Sequence, residues 1–259
     1  MINVMEQAAR KAARGLNRDF GEVEHLQVSR KGPSDFVTAA DMQAERVLLD
    51  ELRKARPRYG FLMEEGGAKP GKDEHNRWIV DPLDGTTNFL HGIPHFAISI
   101  AQEQDGEIIA GVVYEPVRDE MFWAAKGLGA FLNRRRLRVS SREHLRDALI
   151  ATGIPFRGKP KHPAYLDTVA KVMPEVAGIR RFGSAALDLA WLAAGRYDGF
   201  WEFGLEPWDI AAGLLLVREA GGRVTDVEGK DAMFANGSVL AANARLYDPL
   251  AKLVHAGMG

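Results

Sequence analysis

Apolar and polar positions recur at helical spacing near the start of the chain, predicting a helix from Asn3 to about Leu16 and a second from Asp41 to about Lys54. The second ends at Arg56-Pro57, because a residue before proline is pushed out of helical space. Short apolar runs at Phe61–Met63 and Trp78–Asp81 then read as strands. Phe96–Glu103 and Glu107–Tyr114 flank Asp105-Gly106, a pair that tight hairpins favour, and Met121–Ala125 and Ala130–Leu132 extend that sheet.

Beyond a division near Ser140–Asp147 the pattern alternates strand and helix. It predicts strand Ala148–Thr152, helix Pro163–Val172, strand Ile179–Phe182, helix Ser184–Ala194 closed by Gly195, and strand Gly199–Phe203. Trp208–Ala220 is apolar almost all round, as in a buried helix, and Gly221-Gly222 ends it. Strands Arg223–Asp226 and Ser238–Ala242 and a helix from about Leu246 to His255 complete a mixed α+β and α/β pattern. There is no internal repeat or evident linker, so residues 1–143 and 144–259 are expected to be two subdomains around a shared site.

Within this pattern the segment Trp78-Ile79-Val80-Asp81-Pro82-Leu83-Asp84-Gly85-Thr86-Thr87-Asn88-Phe89 sets two carboxylates three residues apart at the end of an apolar run. Pro82 is expected to halt pairing and turn the chain, so that Asp84 points back beside Asp81. Paired carboxylates suit a hard cation that keeps water and phosphate oxygens in its shell. Gly85 lets backbone approach a ligand, and a turn opening into a helix aims N–H groups at an anion. Taken alone, the same residues could simply cap a turn. Two more acidic segments change that balance: Glu64-Glu65 ends another apolar run, and Glu206-Pro207-Trp208-Asp209 opens the apolar helix, so three chain segments point to one convergent site.

On these residues the chain resembles the inositol monophosphatase family of Mg²⁺-dependent, lithium-sensitive phosphatases. The likeness covers Glu64-Glu65, Asp81 through Phe89 and Pro207-Trp208-Asp209-Ile210-Ala211-Ala212-Gly213, and runs from about Lys31-Gly32-Pro33-Ser34-Asp35-Phe36-Val37-Thr38 to Val239-Leu240-Ala241-Ala242-Asn243. It implies a layered αβαβα sandwich of the inositol monophosphatase and fructose-1,6-bisphosphatase type, and a homodimer. It also implies one Mg²⁺ held by Glu64, Asp81, the Leu83 carbonyl and Thr86, a second held by Asp81, Asp84 and Asp209, and a weaker third near Glu65. Thr86, Asp41 and Glu64 would be catalytic, with Thr86 paired to Asp41 to orient the attacking water. Asp84, Gly85, Thr86, Gly183, Ala185, Glu202 and Asp209 would bind substrate, Gly85 and Thr86 through amides on the phosphate.

The form of the block, with His91-Gly92-Ile93-Pro94 after it, is similar to the branch acting on myo-inositol 1-phosphate. The alternatives are fructose 1,6-bisphosphate, histidinol phosphate and nucleotide 3′-phosphates. Gly66-Gly67 depart from the Ser or Thr that many relatives carry after the paired glutamates, and Lys31 matches a family loop lysine. Read from local sequence, Asp41 is equally an N-cap and Glu202 a solvated strand-end acid.

Length and composition agree with an enzyme. A chain of 259 residues with 46% hydrophobic content buries about 70–75% of its unfolded surface. No cysteine is present, which excludes thiolate chemistry and weakly favours the cytoplasm, as does a start without a signal-peptide pattern. No run reaches membrane-spanning length, and a net charge of −1 gives no field for nucleic acid. Arg134-Arg135-Arg136-Leu137-Arg138 reads as a solvated face, with an RNA or transcription-complex partner as the alternative. His91 and His95 lack the glutamate of a zinc helix, Gly221-Gly222 lacks a phosphate loop's continuation, and Trp201 and Trp208 read as core aromatics.

Overall fold

The computed structural model describes residues 1–20, 28–32, 35–155 and 162–258. The chain opens with α1 (Ile2–Phe20), β1 (Val28–Gly32), β2 (Asp35–Thr38), α2 (Ala39–Ala55), β3 (Gly60–Met63), β4 (Gly67–Lys69) and β5 (Asn76–Asp84). It continues with α3 (Thr86–Leu90), β6 (Ala97–Gln104), β7 (Glu107–Glu115), β8 (Glu120–Ala125), β9 (Gly129–Leu132) and β10 (Arg135–Arg136). The second half carries β11 (Leu149–Thr152), α4 (His162–Val172), β12 (Gly178–Arg180), α5 (Ala185–Ala193), β13 (Gly199–Phe203) and α6 (Pro207–Glu219). It ends with β14 (Arg223–Thr225), α7 (Met233–Asn236), β15 (Ser238–Ala242) and α8 (Tyr247–Met258). Pro33-Ser34 and the side chain of Lys31 lie outside the described residues.

An eight-stranded sheet runs β10-β9-β8-β7-β6-β5-β3-β4, and a five-stranded sheet runs β12-β11-β13-β15-β14. In the larger sheet β3 and β5 pair parallel, while β5 through β9 form an antiparallel meander. Its Asp105-Gly106 turn has both residues at positive φ, 51° and 81°, as a type I′ hairpin requires.

Side-chain alternation along the strands sorts residues into three apolar layers. On β5, Trp78 and Val80 face α1 and α2, and Ile79 faces α5 and α6. On β13, Phe200 faces α5 and α6, and Trp201 faces α4 and α8. The order is therefore helix pair, sheet, helix pair, sheet, helix pair, the αβαβα sandwich expected from the resemblance.

The central pair is tightly packed. Every residue of α6 from Ile210 to Val217 is buried. A Cβ on Gly213 would come within 2.6 Å of Leu189 on α5, and one on Gly111 of β7 within 2.9 Å of Ala212. Glycine at these two positions lets helix meet helix and helix meet sheet at close range.

Two local expectations are corrected. Pro82 does not end its strand: β5 runs to Asp84, with Asp81 opposite Ser99 and Asp84 opposite Ala97, so three steps on β5 match two on β6. That extra residue is a bulge. Asp41 is not the N-cap of α2; Thr38 is, with its hydroxyl accepting from Ala40 N and Asp41 N, and Asp41 stands three positions on. A threonine with extended backbone suits the cap, and the helix consequently starts at Ala39, ahead of the predicted Asp41.

Candidate active site

Residues three apart on a regular strand point to opposite faces, so Asp81 and Asp84 would diverge without the bulge. With it, Asp84 reaches α5, where the Ser184 hydroxyl and Ala186 N, the latter at 2.8 Å, donate to its Oδ2. Ser184 also caps α5. Asp81 is 1% exposed, and its Oδ1 accepts from Leu83 N at 2.8 Å.

The acids from separate segments meet here. Asp81 is pushed well above the usual carboxylate range by burial and then by the charges of Glu64, Asp84 and Asp209. Burial likewise pushes Asp84 up to about 6, against donation from Ser184. Asp209 is pushed well up by burial and then by Asp84, with Glu64 and Glu202 adding to it. Glu64 leaves β3 with its N–H on the Val80 carbonyl, which brings it beside β5.

Next to this cluster, Thr86 Oγ1 stands 3.3 Å from Asp41 Oδ1 and 3.0 Å from the Leu83 carbonyl, to both of which it can donate. Asp41 is fully buried, and its other oxygen accepts from Thr38 N at 2.9 Å and from the Thr38 hydroxyl. Burial pushes the Asp41 carboxyl up. Gly85 precedes α3 at φ 97°, and a Cβ there would approach His95 O at 3.0 Å, so the turn needs glycine.

Glu202 lies on the face of β13 that carries Phe200, and a Cβ on Gly153 would fall 1.7 Å from its Oε1. Its charge also acts on Asp188 and Asp209. Gly183, at φ 84°, and Ala185 flank the Ser184 cap, and Asn88 of α3 ties this corner down by donating to the Phe182 and His95 carbonyls. The predicted residues thus lie on the ends of β3, β5 and β13 and the starts of α2, α3, α5 and α6.

Four carboxylates opposing one another offer oxygen donors only, the donor chemistry of Mg²⁺, and a divalent cation among them would relieve their repulsion. Among the described residues no three such side chains close a cage by themselves. Mg²⁺ seldom uses one; it keeps waters and substrate phosphate oxygens in its shell.

Two contributors escaped the sequence reading as site residues, Thr38 as the cap behind Asp41 and Ser99, whose hydroxyl donates to the Trp208 carbonyl at 3.1 Å and moors α6 to β6; of the Gly183-Ser184-Ala185 helix start, the donation from Ser184 to Asp84 was not foreseen. The Thr38-to-Asp41 spacing is itself a capping-box signal that could have been read.

A sequence profile described as the inositol monophosphatase family matches residues 1–258. The chain belongs to the inositol monophosphatase family. An inositol-1-monophosphatase from Mesorhizobium japonicum is 59% identical over 254 residues, 98% of this chain and 96% of that protein. The Nus factor SuhB of Escherichia coli is 47% identical over 246 residues, 95% and 92%. A crystal structure of extragenic suppressor protein suhB from Bartonella henselae superposes with a TM-score of 0.95 at 57% identity, covering 97% of each chain. Members of the inositol monophosphatase family are typically Mg²⁺-dependent and lithium-sensitive.

Proposed function

We propose that this chain is a Mg²⁺-dependent phosphomonoesterase that hydrolyses myo-inositol 1-phosphate by attack of an activated water. The meeting of Glu64, Asp81, Asp84 and Asp209 beside the Thr86–Asp41 pair carries this reading. Glu64, Asp81, the Leu83 carbonyl and Thr86 hold one ion, Asp81, Asp84 and Asp209 a second, and Glu65 assists a weaker third. When bound, the ions supply Lewis acidity toward water, phosphoryl oxygens and the leaving alkoxide.

The protein's own groups position and move protons. Thr86 accepts a proton from the attacking water as its own passes to Asp41 Oδ1, already 3.3 Å away. The Gly85 and Thr86 amides hold phosphate oxygens in line, which is electrostatic positioning of a charge-dispersed transition state. Gly183, Ala185 and Glu202 form the wall that receives the polyol, whose hydroxyls can donate to a carboxylate.

The test is phosphate release from inositol 1-phosphate, fructose 1,6-bisphosphate, histidinol phosphate and 3′-phosphoadenosine 5′-phosphate, with Mg²⁺ and with Li⁺ added. Preference for inositol 1-phosphate and inhibition by Li⁺ are expected; faster turnover of another ester moves the substrate assignment to that ester.

The same reading takes subdomains 1–143 and 144–259 sharing the α5–α6 layer, a cytoplasmic setting and a homodimer. No helix among the described residues is long and apolar enough to cross a membrane. Ile93, Val117 and Phe182 are exposed apolar side chains available to a second copy, and a monomer mass by light scattering would remove the dimer.

A second reading, an RNA or transcription-complex partner, is favoured by the exposure of Arg134, Arg135, Arg136 and Arg138 and by the Nus factor relative. Unchanged RNA binding after Arg134, Arg135 and Arg136 are all replaced by Ala would remove it.

A further inference from the structure

Helix α2 presents two buried acids one turn apart, Asp41 and Glu45, on the same face. Asp41 faces Thr86; Glu45 reaches the other side of the site. Glu45 Oε2 accepts from Glu65 N at 2.9 Å and from Gly66 N at 3.2 Å. Glu45 is 8% exposed, so these two N–H groups meet its carboxylate away from bulk water. A Cβ on Gly66 would sit 2.7 Å from Glu45 Oε1 and 2.8 Å from Met63 Cε, so only glycine leaves the carboxylate its place under the turn. The departure from Ser or Thr at this position thereby acquires a physical reason.

We infer that Glu45 is a positioning residue for the metal site: its carboxylate clamps the Glu65–Gly66 backbone and so sets where Glu64 and Glu65 present their side chains. The turn links β3 to β4, the edge strand of the larger sheet, and has no helix of its own to hold it. Asp81 and Asp84, by contrast, lie on β5 opposite Ser99 and Ala97 of the central strand β6. Past the Glu64 N–H on the Val80 carbonyl, the chain leaves the ladder and the next two N–H groups are held by Glu45. Because α2 also orients Asp41, one rigid helix aligns the proton-accepting side of the site with the ion-holding side.

This inference rests on the reading of Glu64 as a Mg²⁺ ligand, and the test separates the two. Mg²⁺ binding is measured by calorimetric titration of the full chain without substrate, with thermal unfolding as a check on folding. Glu45→Ala is expected to weaken Mg²⁺ binding about 10-fold or more, the range found when an outer partner of a metal ligand is removed. Glu45→Gln keeps an acceptor oxygen for both N–H groups and is expected to stay within about 3-fold of wild type. Gly66→Ala, at an exposed turn position, displaces the clamp from the other side and is expected to behave as Glu45→Ala does. Wild-type binding in Glu45→Ala overturns the inference; if that variant does not fold, wild-type binding in Gly66→Ala does so. A Glu45→Gln loss equal to that of Glu45→Ala also overturns it, since acceptance of the two N–H groups would then be irrelevant. Should Glu64→Gln itself leave Mg²⁺ binding unchanged, the ligand reading fails instead.

Discussion

Helices α2 and α6 each carry an aspartate at the third helical position, and in each the N–H at the helix start donates to it: Thr38 N to Asp41 at 2.9 Å, Glu206 N to Asp209 at 2.8 Å. The local device is shared, since one carboxylate oxygen is spent on the backbone and the side chain is thereby aimed. The surroundings differ. Asp41 is fully buried among hydroxyls, those of Thr38 and Thr86. Asp209 is only partly buried and faces other acids, Asp84 foremost. In the proposed mechanism a helix start thus orients one carboxylate to take up a hydroxyl's proton and another to join a cation-holding cluster, and what the rest of the fold brings opposite decides which.

Removing charge from the α6 acid carries the largest expected effect. Asp209→Asn keeps an oxygen for Glu206 N, but kcat for inositol 1-phosphate is expected to fall about 10³-fold, equivalent to about 4 kcal/mol on the barrier. Mg²⁺ binding weakens with it, whereas unfolding without Mg²⁺ stays at or above the wild-type temperature. Turnover within about 10-fold of wild type would take Asp209 out of the metal set.

Burial of the Asp84 carboxyl has a pH signature that can be isolated. Its folded value of about 6, against 3.8 for an ordinary aspartate, means the folded state binds the proton more tightly. Stability then rises as pH falls from above 6 toward 4. Without Mg²⁺, the unfolding free energy of wild type relative to Asp84→Asn is expected to gain up to about 3 kcal/mol over that interval. A flat difference from pH 7.5 to 4.5 would show that burial does not hold the Asp84 proton as described.

Asp41→Asn sharpens the contrast between the helices. It is expected to lower kcat about 10²-fold, as loss of a general base does, with the calorimetric Mg²⁺ titration unchanged. A Mg²⁺ defect as large as that of Asp209→Asn would erase the division of labour. Smallest are the caps. Thr38→Ala removes a buried hydroxyl that accepts from two backbone N–H groups and should cost about 1–2 kcal/mol in urea unfolding. Glu206→Ala, at an exposed position, should cost less than about 0.5 kcal/mol. Equal losses would mean that burial does not separate the two starts.

Much of this architecture was legible from periodicity. The Asp105-Gly106 hairpin, the all-round apolar α6 and the glycines closing α5 and α6 are local matters, set by which backbone angles and faces a short stretch prefers. The error at Pro82 was of another kind. Proline does remove a strand donor, but β5 absorbs this with a bulge opposite β6 rather than a turn, and strand partners are not visible in one stretch of sequence. The cap of α2 was misplaced by three residues because Asp and Thr are both good N-caps, and the choice fell to the residue whose backbone the preceding strand leaves extended.

By itself, the amino-acid order determined the inventory: carboxylates closing apolar strands, an acid opening an apolar helix, and the glycine and threonine of a turn between them, because residue type and short-range spacing carry that information. Only the tertiary structure decided their convergence. The bulge that turns Asp84 toward Ser184 and the reach of Glu45 to a backbone twenty residues away depend on sheet register and helix packing. So does the gathering of Asp209 with Asp81. These are set by burial of apolar surface across the whole chain, which no local pattern records.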